Sequence, residues 1–476
     1  MLLPALAALT ALRLLVAAAT PLAPDEAYYW LWSRAPAAGF LDHPPMVALW
    51  VRAGTALAGE GTLGVRLLAP AAAALGSMML AQAGADLLGD RARGVRAAAM
   101  LNATLLFGAG AVTMTPDTPL LFFWIATLWA LGRLQATRRG AWWLVAGAAV
   151  GLALDSKFTA GLLLPAILLW VAADRGLHPW LWRRQPWLGA ALALGLFAPV
   201  LAWNAAHGWA SFARQGARAA DWQPAQALRY SLELVTGQLG LATPLLAVMF
   251  GAGIIVAVRR AGRGRPRFAL LAGLTVLPAA VFAQHALGDR VQANWPAVTY
   301  PAAAIAAAAL PWGRAWLAAT ALGGTLTAAV YAQGALAPLP LPAPLDPTLL
   351  RVGGWDALAQ AVAGQAARVG AAFVAAPNYG VAAEMAWRLP GAKAVVGVNR
   401  RWALFDLPDA CPAIAGHAGL LLAQADEMPD PADWATLLPM TELDRRRDGM
   451  VAARYRLYLV VGRAGPEPAA LLPRPR

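Results

Sequence analysis

The chain has 476 residues, 59% hydrophobic and only 13% charged, with 45 Gly, 36 Pro and a formal net charge of +13. That composition excludes an ordinary soluble globule and a disordered chain, and it marks a membrane protein. The charge would also suit a nucleic-acid binder, but residues 1–345 hold 24 Lys and Arg against 12 Asp and Glu, whereas residues 346–476 hold 14 against 13. The basicity therefore belongs to the apolar part, and no nucleic acid is expected as a partner. The chain divides at a Pro-rich stretch, Pro338 to Pro347, into a membrane domain, 1–337, and a more polar domain, 338–476. A single cysteine, Cys411, excludes an intrachain disulfide and any multi-cysteine metal site.

A membrane helix needs about 20 mostly apolar residues, because the bilayer offers no water to its backbone groups. Eleven candidate spans follow in chain order, near 2–22, 64–88, 97–114, 118–133, 141–154, 158–173, 187–205, 235–258, 268–286, 296–311 and 315–335. The fifth and sixth are short and suit a tilted hairpin. The first lacks the charged start of a signal peptide and carries Arg13 at its centre, a cation that should face protein or snorkel. With the N-terminus in the cytoplasm, the inner loops hold 15 arginines in 42 residues. The outer loops, about twice as long, hold Arg34, Arg52, Lys157, Arg214, Arg218, Arg229 and Arg290. The positive-inside rule selects this orientation, and an odd number of spans then exports the C-terminal domain.

In that domain the apolar runs Ala371 to Ala376, Ala394 to Val398, Gly419 to Ala423 and Tyr455 to Val461 alternate with polar and helical segments such as Val381 to Leu389. The pattern predicts a small α/β fold. Pro377, Asn378, Tyr379 and Glu384 lie near the end of a predicted strand and offer a binding edge; a module that covers the membrane site or touches its substrate is the simpler reading.

The outer loops carry the unusual residues. The first reads Asp25-Glu26-Ala27-Tyr28-Tyr29-Trp30-Leu31-Trp32, then Asp42-His43-Pro44-Pro45. Adjacent carboxylates at a membrane surface suit proton transfer or ion binding. They also suit the capping of an interfacial helix whose aromatic residues form a belt. Lys157, the one lysine in the first 345 residues, sits at the tip of the short hairpin, either as a phosphate-facing cation or paired with Asp155. Asp117 either caps the fourth span or faces a site. Asn294 and Trp295 offer an amide beside an aromatic face, which serves a sugar or an interfacial anchor equally. Arg290, His285 and Arg229 are further cations, and Asn204, His207 and Trp209 read as a helix end. Asp25, Asp42, His43 and Asp117 are hard ligands that admit a divalent metal ion, with Asp42 and His43 as the candidate pair, although no spacing motif demands one.

Taken together, the Asp-Glu pair after the first span, the aromatic helix, Asp42-His43-Pro44-Pro45 and Thr115-Pro116-Asp117-Thr118-Pro119 resemble the GT-C membrane glycosyltransferases. The nearest likeness is to the protein O-mannosyltransferase and aminoarabinose (lipid A) transferase type, families 39 and 83. Leu154-Asp155-Ser156-Lys157-Phe158, Trp203-Asn204 to His207-Gly208-Trp209 and Val291-Gln292-Ala293-Asn294-Trp295-Pro296 are similar too. The resemblance covers residues 1–335 and, more loosely, the C-terminal domain.

It implies transfer of a sugar from a polyprenyl phosphate carrier to an envelope acceptor at the outer face of a bacterial cytoplasmic membrane, with no nucleotide cofactor. By the same resemblance Asp25 is the base towards the acceptor hydroxyl, Glu26 orients the acceptor or tunes Asp25, and Asp117 lines the site. Asp42 matches an acid that helps hold a metal, and His43 stands where the aminoarabinose enzymes have a lysine near the carrier phosphate. That substitution argues against an aminoarabinose donor. The Asp-His-Pro-Pro pattern is similar to uronic acid transferases acting on lipopolysaccharide. The rival class, a lipid or sugar flippase, should place charges or broken helices at mid-membrane and show internal repeats. Here the acids gather at one face.

Overall fold

The computed structural model describes residues 2–216, 222–391, 393–463 and 469–475; Arg218 lies outside them. By packing, the chain forms two units. One comprises residues 1–14, 42–47 and 68–329, and the other residues 15–41, 48–67 and 330–476.

The first unit is a helical bundle. Among the described residues of the whole chain, six helices are long and apolar enough to cross a membrane: Thr62–Leu88, Asp117–Thr137, Arg184–Ala206, Pro244–Gly262, Pro266–His285 and Ala315–Leu336. Two bent pairs raise the number to eight at most, Leu3–Ala19 with Pro24–Arg34 and Phe158–Ala173 with Arg175–Trp182. Several expected spans are shorter, interrupted or shifted. The run at 97–114 is split into Arg91–Asn102 and Leu105–Gly110, because the Thr104 hydroxyl accepts from the Phe107 amide and caps a new helix. The run at 235–258 contains two helices, Pro224–Ala242 and Pro244–Gly262, parted at Thr243, whose φ of 70° precedes a proline. Helix Ala141–Leu154 is only 14 residues long, and it packs closely on Arg184–Ala206. A Cβ at Gly147 would stand 2.1 Å from the Gly189 carbonyl oxygen, so only glycine permits this approach. Arg13 is buried with its guanidinium 5.6 Å from the Phe107 ring centroid, facing protein as a mid-helix cation should.

The second unit holds a six-stranded sheet, with β1 Phe373–Ala376, β2 Ala394–Val398, β3 Ala418–Gln424, β4 Trp434–Arg447, β5 Met450–Gly462 and β6 Ala469–Leu471. The order is β4-β5-β3-β1-β2-β6. Strand β1 pairs in parallel with β2 on one side and β3 on the other, while β5 and β6 run antiparallel to their neighbours. The parallel strands are apolar and buried, which made three of them visible in the sequence. Strand β4 escaped notice because it ends in Asp444 to Arg447 at the sheet edge. Its turn into β5 is Asp448-Gly449, both at positive φ, the hairpin signal that could have revealed it.

In the same unit the chain turns by 88° after Ala19 and continues as helix Pro24–Arg34. Its aromatic residues form no interfacial belt. Tyr28, Trp30 and Trp32 are buried within the unit, Trp30 edge-on to Trp387, Tyr28 beside Tyr379 and Trp402, and Trp32 stacked on Phe40. Alternating aromatic bulk on a short helix is read equally well by lipid headgroups and by a packed core, and here the core takes it.

Candidate active site

The two adjacent carboxylates of the second unit have different surroundings. Glu26 is 1% exposed and receives the Nε–H and Nη2–H of Arg66, itself fully buried, along with the Ala23 amide at the helix start. Arg66 also donates to the carbonyls of Ala17, Thr20 and Pro21. Glu26 thus performs the capping that composition alone would have shared between both acids, and it anchors the turn between the first helix and Pro24–Arg34. Arg66 was missed by sequence reasoning; an arginine inside the apolar start of a span was the available signal. Asp25 plays no part in that clamp. Its side chain is 40% exposed, its Oδ1 accepts from the Tyr379 hydroxyl at 3.0 Å, and its Oδ2 lies 3.9 Å from the exposed Arg351.

In the first unit, Asp117, Lys157 and Asn294 meet. Asp117 begins helix Asp117–Thr137, but its carboxylate is spent on side chains, with Oδ1 receiving Lys157 Nζ at 2.7 Å and Oδ2 receiving Asn294 Nδ2 at 2.6 Å. Lys157 therefore pairs with Asp117 and not with its sequence neighbour Asp155. Its Nζ also stands 5.8 Å from the Trp295 ring centroid, within cation–π range. Lys157 and Trp295 border a cleft of about 210 Å³ lined also by His43, Phe158, Thr159, Gln215, Val281, Phe282, Gln284 and His285. The loop carrying His43 is tied to the hairpin tip by the Met46 amide, which donates to the Asp155 carbonyl. Burial pushes the Asp155 carboxyl up to about 7, and one of its oxygens has no hydrogen-bond partner among the described residues.

The remaining candidates sit apart from this cleft's lining. Arg290 is exposed and pairs with Glu233, which also holds Arg229. Asn204, His207 and Trp209 mark the end of helix Arg184–Ala206, where Asn204 bonds the Val200 carbonyl and the Ser211 amide. Asp42 is engaged by Arg214 at 2.7 Å, and Gln215 from the next position holds the Asp42 carbonyl. Among the described residues no three His, Cys, Asp or Glu side chains converge as a metal-binding set. The Asp42 carboxylate is paired with Arg214 in this structure.

A family profile described as Dolichyl-phosphate-mannose-protein mannosyltransferase matches residues 42–203, about a third of the chain. The lipid A galacturonosyltransferase RgtD of Rhizobium johnstonii is 29% identical over 291 residues, 60% of this chain and 59% of that protein. The fold matches that of ArnT from Cupriavidus metallidurans bound to undecaprenyl phosphate with a TM-score of 0.60 at 17% identity, covering 97% of this chain and 98% of that one. The apo state of the same protein matches at 0.57. The chain therefore shares its fold with ArnT over nearly its whole length. Within it, the profile match spans Asp42, His43, Asp117 and Lys157, while Asp25 precedes the match and Asn294 and Trp295 follow it. The match to RgtD covers less than two thirds of that protein's length.

Proposed function

We propose that this chain transfers a sugar from a polyprenyl phosphate carrier to a lipid A type glycolipid, at the outer face of a bacterial cytoplasmic membrane. The observation that carries the reading is the setting of Lys157. Its ammonium is fixed by Asp117, which Asn294 holds in turn, beside a cleft that offers two imidazoles, an indole and apolar walls. Breaking a sugar to phosphate bond places new negative charge on the departing phosphate, and a fixed cation with neighbouring donors is what stabilises it. Lys157, with His43 beside the same cleft, takes that role. Asp25 takes the other: its carboxylate accepts the proton of the acceptor hydroxyl as that oxygen bonds to the anomeric carbon, and the bond to phosphate breaks with its electron pair leaving on the carrier.

A hexuronic acid is the donor that this reading favours. Two things support it, histidine at position 43 where a lysine marks the aminoarabinose enzymes, and the likeness to a protein named as a lipid A galacturonosyltransferase. The arginine-rich loops support an inner N-terminus and an external domain 338–476. The test is the mass spectrum of lipid A from cells with and without the gene. The proposal expects loss of one sugar residue on deletion, restored by the wild-type chain and not by Asp25→Asn; an unchanged spectrum overturns it.

A further inference from the structure

The domain that follows residue 337 needs a reason to be there, and the second unit supplies one at the carboxyl end of β1. The strands that flank β1 lie on opposite sides and run parallel to it, so the chain leaves β1 at the point where the sheet changes direction, the place where open α/β sheets present functional groups. Helix Tyr379–Arg388 starts there. Asn378 caps it, its Oδ1 accepting from the Gly380 and Val381 amides, which fixes Tyr379 in the first turn. The helix end comes unusually close to Pro24. A Cβ on Gly380 would stand 2.9 Å from the Pro24 Cβ, so only glycine permits the approach that brings Tyr379 to Asp25. Arg388 donates to the Leu22 carbonyl, and Trp387 meets Trp30, so the contact is anchored at both ends of the helix.

We propose that Tyr379 is a positioning residue for Asp25, so that the C-terminal α/β domain takes part in the chemistry through that carboxylate. The proposal rests on the reading of Asp25 as the base. The Tyr379 hydroxyl donates to Asp25 Oδ1 at 3.0 Å, which fixes the rotation of a carboxylate that is otherwise open to solvent and leaves Oδ2 for the acceptor hydroxyl. The phenol is itself held: its ring lies 4.5 Å from the Tyr28 ring, and the Arg401 guanidinium sits 4.2 Å from its centroid. Arg401 also reaches the Tyr28 hydroxyl. The other charged group near Asp25, Arg351, is long at 3.9 Å and 69% exposed, and a contact of that kind orients little.

The experiment is steady-state kinetics of Tyr379→Phe in the full-length purified enzyme, with the lipid-linked donor and the acceptor varied separately. Phenylalanine keeps the ring between Tyr28 and Arg401 and removes only the hydroxyl, so Tm should not move. The expected result is a fall in kcat of about tenfold, the scale of one hydrogen bond to a charged group, with KM for both substrates within twofold of wild type. In an Asp25→Glu background, where the carboxylate is displaced by one methylene, Tyr379→Phe should cost little further. An unchanged kcat, or a loss that appears in KM or Tm instead, overturns the proposal. The two readings fail separately: an inactive Asp25→Asn beside a fully active Tyr379→Phe refutes positioning alone, whereas an active Asp25→Asn refutes the base on which it rests.

Discussion

Neutralising the two neighbouring acids should have opposite consequences. Glu26 and Arg66 are 1% and 0% exposed, and Arg66 satisfies three backbone carbonyls besides the carboxylate. Removing one member of such a pair leaves the other charge buried without its counterion, a cost of about 3–5 kcal/mol. Glu26→Gln keeps the volume and an acceptor for the Ala23 amide, so its cost should lie near the lower end, about 3 kcal/mol. Arg66→Met also strands the carbonyls of Ala17, Thr20 and Pro21 and should reach the upper end. For a unit of roughly 200 residues, about 3 kcal/mol lowers Tm by about 6–12 °C. The double variant should lose less than the two singles together, because it leaves no unpaired charge. Asp25→Asn should leave Tm within about 2 °C, since Asp25 is half-exposed, and lower activity at least 10²-fold, the scale of a lost general base. The assay is intrinsic fluorescence melting of detergent-solubilised protein, paired with transfer activity per folded molecule. A Glu26→Gln variant that melts like wild type yet is inactive would refute the division of labour and move the chemistry to Glu26.

Other consequences follow from the first unit. Lys157→Met should reduce kcat/KM for the lipid-linked donor by about 10²-fold or more, and Asn294→Ala by about tenfold, because the amide reaches Lys157 through Asp117; equal effects of the two in donor titrations would contradict that order. Arg290→Ala should change turnover less than threefold, as its guanidinium is exposed and bound to Glu233; a loss of a hundredfold would put it in the site. Asp155 gives a pH dependence. Its carboxyl rises from 3.8 to about 7 on burial, so the folded state keeps a proton that the unfolded state has lost. Stability is therefore complete below pH 3.8 and falls as pH rises to about 7, by roughly 2–3 kcal/mol between pH 5 and pH 8. Asp155→Asn should flatten the melting temperature over that interval and raise it at pH 8, and an unaltered pH profile would remove Asp155 as its source.

How much of this was legible in the sequence depends on the length scale of the signal. Long apolar runs gave the helices from Asp117, Arg184 and Pro266, because continuous hydrophobicity is a local property. The breaks at Thr104 and Thr243 depend on single caps and one strained φ, which no window average registers. Asp117, Lys157 and Asn294 stand out in the sequence as polar groups at span ends, with Trp295 beside them, and the structure gathers the four. Their partners were not readable, since Lys157 chooses Asp117 forty residues away over Asp155 two residues away. The Asp25 and Glu26 pair shows the same limit. Both acids sit in one turn, and only Arg66 and Tyr379, distant in the chain, tell the clamp from the open carboxylate.

The most direct test of glycosyl transfer is reconstitution of the purified chain in vesicles with a radiolabelled polyprenyl phosphate sugar and lipid A. The account predicts that labelled sugar appears on the lipid A while free polyprenyl phosphate accumulates in equal amount, and that neither occurs with Asp25→Asn. Movement of intact lipid-linked sugar between leaflets, with the sugar to phosphate bond unbroken, would contradict it.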